Sequence, residues 1–123
     1  MKVDSALVSK SYWLAAQART NRKIKLLAER KDRAWHLARR AATLLKGDYG
    51  VKRVVLIGSL ASGKGFHPRS DIDLVIWGLD EKKYYQAVGR LLGLDPEFEV
   101  DVIEAENASP NILKVIEREG VSL

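Results

Sequence analysis

Two segments of this 123-residue chain decide its fold: RVVLIGS at residues 53–59 and DIDLVI at residues 71–76. The apolar and β-branched residues of both segments favour buried strands. The segment from Gly58 to Arg69 contains three Gly and one Pro, a composition that predicts a loop. We therefore expect two strands joined by a glycine-rich connection.

The rest of the second half of the chain predicts a small α/β domain around these strands. In chain order we expect a helix at 81–92, a third strand at 98–103, a helix between Ser109 and Gly120 that begins with Pro110, and a short edge strand at 121–123. This order predicts an α/β (α+β) fold, in which helices pack on a small mixed sheet of three or four strands.

The first 46 residues contain no Pro or Gly and are rich in good helix formers. Asp4 or Ser5 is a candidate cap for a first helix, and Thr20 begins a second capping signal. A single rod of this length exceeds the size of a compact domain, so we expect a break near Thr20 or an overhanging arm. The predicted single domain has three parts: a helical extension (1–21), a long helix (22–46) and an α/β core (53–123).

Charge is divided unevenly along the chain, although the net charge is only +5. Residues 1–53 contain 14 Lys+Arg and 4 Asp+Glu, whereas residues 54–123 contain 7 and 12. The basic half has three interpretations: a solvated helix face, a surface for a protein partner, or a nucleic-acid contact. The small domain is predicted to leave several apolar side chains of this half uncovered: Leu7, Val8, Trp13 and Leu14.

Composition excludes several classes of function. The chain has no Cys, which excludes disulfides, thiolate nucleophiles and most zinc-finger sites. Its longest apolar run is about five residues, too short for a membrane-spanning helix. No apolar signal-peptide core follows Met1, so we expect a cytoplasmic protein.

The loop contains a near-match to a P-loop, with Gly58, four residues, and then Gly63-Lys64. Gly65 occupies the position where a P-loop has the Ser or Thr that binds magnesium. A P-loop also continues into a helix, whereas this loop is predicted to continue into a strand. We therefore interpret the near-match as accidental.

Three carboxylates form a stronger candidate site. Asp71 and Asp73 are two residues apart in the second strand, so both point to the same face. Asp101 lies in the third strand between two apolar residues. If the two strands are adjacent, the three carboxylates form a cluster suited to Mg²⁺ and a two-metal displacement, with substrate phosphates completing the coordination.

This constellation resembles the nucleotidyltransferase superfamily that includes DNA polymerase β, and specifically its minimal nucleotidyltransferases. The family motif is a strand, Gly-Ser, a loop of about ten residues, Asp-x-Asp on the next strand and a distant third Asp. The matching residues are Gly58, Ser59, Asp71, Asp73 and Asp101. The segments 66–74 and 118–121 also look like members of this group, and the resemblance covers roughly residues 22–123.

The resemblance implies a polymerase β-like palm preceded by a long helix. It also implies metal-dependent nucleotidyl transfer. Asp71 and Asp73 would hold a Mg²⁺ ion that bridges the triphosphate of ATP or another NTP. Asp101 would bind a second Mg²⁺ and activate the attacking hydroxyl. The residues expected to contact the nucleotide are Gly58, Ser59, Ser62, Lys64, Arg69 and Ser70.

Members of this group commonly act as the antitoxin of a helical HEPN-type ribonuclease toxin, and some transfer AMP from ATP onto a toxin tyrosine. The resemblance therefore implies a protein adenylyltransferase in a hetero-oligomer with such a toxin. Many members have Arg where this chain has Ser62, so Lys64 or Arg69 would have to supply that cation. Two alternatives stay open: a non-catalytic nucleotide-binding antitoxin, and an RNA-end nucleotidyltransferase that grips RNA with its basic helix.

Overall fold

A computed structural model describes the backbone of residues 5–123 and the side chains from residue 9 onward. Its helices and strands are, in chain order, α1 (Ser5–Tyr49), β1 (Arg53–Ile57), α2 (Ser59–Ser62), β2 (Ile72–Trp77), α3 (Tyr84–Leu92), β3 (Val100–Glu104), α4 (Pro110–Glu119) and β4 (Val121–Ser122). Short 3₁₀ turns precede α3 and follow β3. The predicted mixed α/β class and all four predicted strands are confirmed.

The four strands form one mixed sheet in the order β3-β2-β1-β4. β1 pairs antiparallel with both β2 and β4, whereas β2 and β3 are parallel. A parallel pair requires a crossover connection, and α3 provides it. This topology places the second and third predicted strands side by side.

Helices cover both faces of the sheet. On one face, α1 and α3 contribute Ala38, Leu45 and Leu91 to a core shared with Leu56 and Leu74. On the opposite face, α4 packs onto a second cluster, whose members include Val55, Val75 and Ile116. Because successive strand residues point to opposite faces, every position on β2 is assigned to one of these two layers.

α1 takes one of the two forms expected for this half of the chain, a single rod with an overhanging arm. It is continuous over 45 residues, or about 67 Å at 1.5 Å per residue. The predicted break near Thr20, and the boundary between 21 and 22, are therefore wrong. The Thr20 hydroxyl donates to the Ala16 carbonyl at 3.1 Å, so it bonds within the helix instead of capping a new one.

The beginning of α1 is the overhanging arm that we expected as the alternative to a break. Tyr12 and Trp13 are 72% and 59% exposed. The candidate cap Asp4 lies outside the described residues, as do the side chains of Leu7 and Val8. No helix within residues 5–123 has the length and hydrophobicity needed to cross a bilayer.

The connection after β1 also differs from the expected loop. It begins with one helical turn, α2, which ends at Gly63 in the left-handed conformation with φ 72°. The backbone N–H groups of Ser62 and Gly63 donate to the carbonyls of Gly58 and Ser59, both at 3.0 Å. The glycines are therefore concentrated at the ends of a helical turn and beyond it, which the composition alone does not reveal.

Gly120 provides a test of the packing between α4 and the sheet. It follows α4 with an ordinary φ of −64°, so conformational freedom does not explain it. A Cβ at this position would lie 2.5 Å from the Ile116 carbonyl oxygen and 2.7 Å from Val55 Cγ1. We expect Gly120→Ala to lower the free energy of unfolding by about 1–3 kcal/mol, measured by urea denaturation.

The matched control is Gly89→Ala in α3, where an added Cβ meets nothing within 4 Å. This change is expected to raise the free energy of unfolding by up to about 1 kcal/mol because Ala is the better helix former. Equal stability of the two variants would show that the contact between α4 and β1 is looser than described.

Candidate active site

The predicted acidic residues meet where β1 ends and where β2 and β3 begin. Asp73 pairs in register with Ile57 on one side and with Asp101 on the other. Asp73 is half-buried, whereas Asp71 and Asp101 are exposed. Asp73 lies on the face that also carries Val75, which is the α4 side of the sheet. The structure thus brings the three predicted carboxylates together at one edge of this face.

Burial and electrostatic repulsion together act on the central carboxylate of this site. Burial, followed by the negative charges of Asp101 and Asp71, raises the pKa of Asp73 above its usual value, and a hydrogen bond with Asp101 adds to the shift. Within the described part of the chain, no Lys or Arg forms an ion pair with any of the three. Their charge is therefore not compensated by the protein's own side chains.

Gly58 closes one side of the site. Its φ of +87° is unfavourable for residues with a side chain, and its position leaves no room for one. A Cβ at Gly58 would lie 2.7 Å from Asp73 Oδ2. The backbone of the first loop residue therefore lies directly against the central carboxylate.

The two serines of α2 differ in their surroundings. Ser59 is the first residue of the turn and is half-buried beside Gly58. Ser62 is the last, and its hydroxyl accepts a hydrogen bond from the Lys64 N–H at 3.2 Å. The residue that replaces the usual Arg thus stabilises the loop that follows it.

The remaining loop residues also divide into structural and exposed groups. Ser70 is buried, and its hydroxyl accepts a hydrogen bond from the His67 N–H at 2.9 Å. His67 Nδ1 in turn accepts from the Arg69 N–H at 3.1 Å, so this imidazole contacts its own loop. The side chains of Lys64 and Arg69 are exposed. Ser70 therefore braces the loop before Asp71, and its contact with nucleotide stays a prediction.

The chemistry of the donors suits Mg²⁺ in a shared coordination sphere. Mg²⁺ needs only one or two protein carboxylates when water and phosphate oxygens supply the other ligands. Among the described residues, no group of three His, Cys, Asp or Glu side chains is arranged to hold a metal ion alone. The carboxylates therefore fit a cation that arrives with a phosphate-bearing substrate better than a permanent, all-protein metal cage.

Sequence reasoning missed two features around the site. One is the contact between Gly58 and Asp73, which depends on the register of β1 against β2. The other is Lys31 of α1, whose Nζ reaches to 3.6 Å from where a Cβ of Gly63 would be. Neither has a local signal in the sequence, whereas the hydrogen bond from the Lys64 N–H to Ser62 follows the common pattern of a Ser side chain bonded two residues ahead.

The raised pKa of Asp73 predicts that this carboxylate destabilises the metal-free fold. Native Asp73 binds its proton more tightly than in the unfolded chain, so its stabilising contribution is complete below the ordinary value of 3.8. That contribution is lost as the pH rises through the higher folded pKa. We expect Asp73→Asn to raise the thermal unfolding temperature at pH 7 without divalent cations by a few degrees, and to remove this pH dependence.

Glu117→Gln, a matched change at an exposed position of α4, is the control and is expected to leave the unfolding temperature unchanged. A lower unfolding temperature for Asp73→Asn than for wild type at pH 7 would contradict the repulsion described for this site.

Comparison with known proteins supports this description. Residues 40–123 match the family described as "Polymerase beta, Nucleotidyltransferase". No curated protein sequence matches the chain significantly. Similar folds occur in a toxin–antitoxin MntA–HpeT mutant (20% identity, 69% of this chain and 70% of that chain, TM-score 0.57) and in a toxin–antitoxin crystal structure with AMP-PNP (22%, 68% and 69%, 0.55).

A third similar structure is the tri-AMPylated Shewanella oneidensis HEPN toxin in complex with MNT antitoxin (17% identity, 72% of this chain and 70% of that chain, TM-score 0.54). At these identities the three structures establish a shared fold. The family match covers most of α1's buried end, the whole sheet and all the candidate site residues. This chain therefore belongs to the polymerase beta nucleotidyltransferase family.

Proposed function

We propose that the protein is a Mg²⁺-dependent adenylyltransferase that transfers AMP from ATP to a hydroxyl group of a partner protein. In this proposal it acts in the cytoplasm as the antitoxin of a HEPN-type toxin. The observation that carries the proposal is the register of Asp73 with Asp101, with the backbone of Gly58 lying against Asp73.

The three carboxylates form no ion pair with a described Lys or Arg, and the backbone of Gly58 lies close to one of them. This arrangement favours a nucleoside triphosphate with its cation over a neutral ligand. Asp71 and Asp73 would hold Mg²⁺, and Asp101 would complete the site for a second ion. The bound ions would neutralise the triphosphate and lower the pKa of the acceptor hydroxyl. Without them, the three negative charges would repel the substrate.

The chain's own residues would supply positioning. Because Gly58 has no side chain, its backbone lies against Asp73, where it could also approach a phosphate bound to the same site, and the adjacent Ser59 hydroxyl could donate to that phosphate. Asp101 is exposed and adjacent to Asp73, where it could accept the proton of the attacking hydroxyl. The hydroxyl oxygen would form a bond to the α-phosphorus of ATP as pyrophosphate leaves. The side chains of Lys64 and Arg69 are exposed on the loop, where they could contact phosphates.

Support for the partner comes from the similar structures. One is of a toxin–antitoxin assembly with AMP-PNP, and another contains a tri-AMPylated HEPN toxin bound to an MNT antitoxin. AMPylation of a HEPN toxin is a transfer of the kind that we propose for this site. We extend both the substrate class and the partner class to this protein on the strength of the shared fold and the acidic site.

Labelled ATP provides the direct test. Wild-type protein incubated with [α-³²P]ATP, Mg²⁺ and the HEPN-type toxin of the proposed pair is expected to label that toxin. Asp73→Asn is expected to reduce the rate by about 100-fold or more because a charged group of the site is lost. Glu117→Gln should retain the wild-type rate.

The other outcomes separate the alternatives. Formation of a tight complex without label would indicate a non-catalytic antitoxin, and label on added RNA would indicate an RNA-end nucleotidyltransferase. Both results would overturn the proposed transfer to protein. Equal labelling by wild type and Asp73→Asn would overturn the assignment of the site.

A pair of glycine variants tests the close approach at Gly58. Gly58 and Gly65 both have positive φ values, +87° and +76°, so alanine strains the backbone at either position by roughly 1–2 kcal/mol. Only at Gly58 would the new methyl also displace Asp73. We expect Gly58→Ala to abolish the stabilisation of the fold by ATP with Mg²⁺, measured by thermal unfolding.

Gly65→Ala, in which the added methyl meets nothing within 4 Å, should lose stability but keep the ATP-dependent rise in unfolding temperature. If the two variants respond alike to ATP, the contact between Gly58 and Asp73 does not shape the nucleotide site.

A further inference from the structure

The exposed end of α1 carries a surface that the proposed chemistry does not use. We define the arm as residues 9–28, which span about 30 Å at 1.5 Å per residue. The arm precedes Ala34, the first fully buried residue of α1, and lies outside the family match at 40–123. Its large exposed side chains are Tyr12, Trp13, Leu14, Ile24 and Leu26.

The core-facing stripe of α1 continues into the arm without a change of phase. In the buried part, the spacing of residues 34, 38, 41 and 45 alternates between four and three. The same alternation extends backward through positions 31, 27, 24, 20, 17 and 13. The apolar residues at these positions are Leu27, Ile24 and Trp13, and the polar ones are Lys31, Thr20 and Gln17. This spacing keeps Trp13, Ile24 and Leu27 on the helix face that packs on the sheet farther along.

The stripe leads from the tip of the arm towards the candidate active site. An apolar groove of about 650 Å³ lies beside Ile24 and Leu27 and is closed on its far side by Pro68. Pro68 is three residues before Asp71 in the same loop. A molecule that covers the stripe would therefore extend to the loop that carries the acidic site.

Charge restricts what can cover this stripe. The arm contains five basic residues and no acidic residue. At 3.6 residues per turn, Arg19 and Lys23 lie to one side of the stripe, Lys10 and Lys25 lie to the other side, and Arg22 lies on the opposite face. Two arms of this chain would bring like charges together. A second copy also lacks a matching apolar surface, because the large exposed hydrophobics of described residues outside α1 are Tyr85, Leu92 and Leu113, divided between α3 and α4.

The apolar side chains of the stripe favour a protein over a nucleic acid as the molecule that covers the arm. Phosphate backbones need only the basic residues, and they leave a stripe of Trp and Ile in water. A helical segment of about 20 residues that is mostly exposed is also only marginally stable in water, so the arm gains stability when its apolar side chains are buried. A protein surface with an apolar centre and acidic edges satisfies both requirements.

We propose that the arm docks, helix in groove, onto an apolar groove rimmed by carboxylates on the partner protein of the proposed function. The identity of the partner rests on that function, whereas the docking surface rests on the stripe and its basic edges. Docking at the arm places the partner beside Pro68, three residues before Asp71 in the chain.

Titration calorimetry with the purified HEPN-type toxin of the proposed function tests this docking. Trp13→Gln/Ile24→Gln removes apolar side chains of the stripe, and Arg19→Glu/Lys23→Glu reverses the charge at one of its edges, while Gln and Glu preserve helix propensity. We expect each double variant to weaken binding by about tenfold or more. Tyr85→Gln/Leu92→Gln, which removes exposed apolar side chains of α3, is the matched control and should bind within about twofold of wild type.

Each other result has a defined meaning. Wild-type affinity in the arm variants, no binding by the wild type, an arm-dependent dimer in light scattering, or arm-dependent RNA binding without partner binding would each overturn the docking proposal. A different measurement, the transfer of label from ATP to the partner, decides whether the proposed function fails. Arm-dependent binding without AMP transfer would leave the docking intact and reject the transferase activity, and ATP-dependent stabilisation of the arm variants confirms that their nucleotide site is intact.

Discussion

The register between β1, β2 and β3 is the constraint on which the site depends. It aligns Ile57, Asp73 and Asp101 in one row across three strands. Shifting β2 by one residue would turn Asp73 into the core and bring Ile72 or Leu74 to the α4 face. The fully buried Ile72 and Leu74 oppose that shift because their burial under α1 and α3 would be lost. The apolar core thus holds together carboxylates that repel one another.

The opposition between core and site explains the distribution of stabilising groups. The protein's three described ion pairs lie elsewhere, one of them joining Arg33 of α1 to Glu97 before β3. Arg30 also stacks on the Phe98 ring at 4.2 Å and donates to the Glu97 carbonyl. These contacts tie α1 to the segment that enters the site strand, whereas none of the Lys and Arg side chains that the structure describes forms an ion pair with the acidic residues of the site.

Local patterns predicted the strands, α4 and the acidic residues because those features depend on short-range periodicity. Asp71 and Asp73 follow from the two-residue period of a strand, and Pro110 and Gly120 from the usual ends of a helix. The meeting of Asp73 with Asp101 depends on strand adjacency, which the sequence suggested only through the family motif. The role of Gly120 differed from the expected one, since its lack of a side chain matters more than its backbone conformation.

Other features required tertiary information. Thr20 carries a capping signal, but a capping residue can also bond to the preceding turn, and the choice between these depends on the surrounding helix. Likewise, Ser59–Ser62 is too short to show helical periodicity, so its glycine-rich surroundings predicted a loop. The burial of Ser70 depends on the folded loop, in which its hydroxyl accepts a hydrogen bond from the His67 N–H.

The unbroken course of α1 sets a fixed distance as well as a direction. From Trp13 to Ala34 the helix advances about 31 Å, and it contains neither Pro nor Gly in this span at which it would bend. A partner held at the tip is thereby kept at a set offset from the acidic row. If the partner is held in this way, the segment of the partner that carries the acceptor hydroxyl has to move to reach Asp101. The length of that mobile segment would then decide which partners are modified, as much as its sequence does.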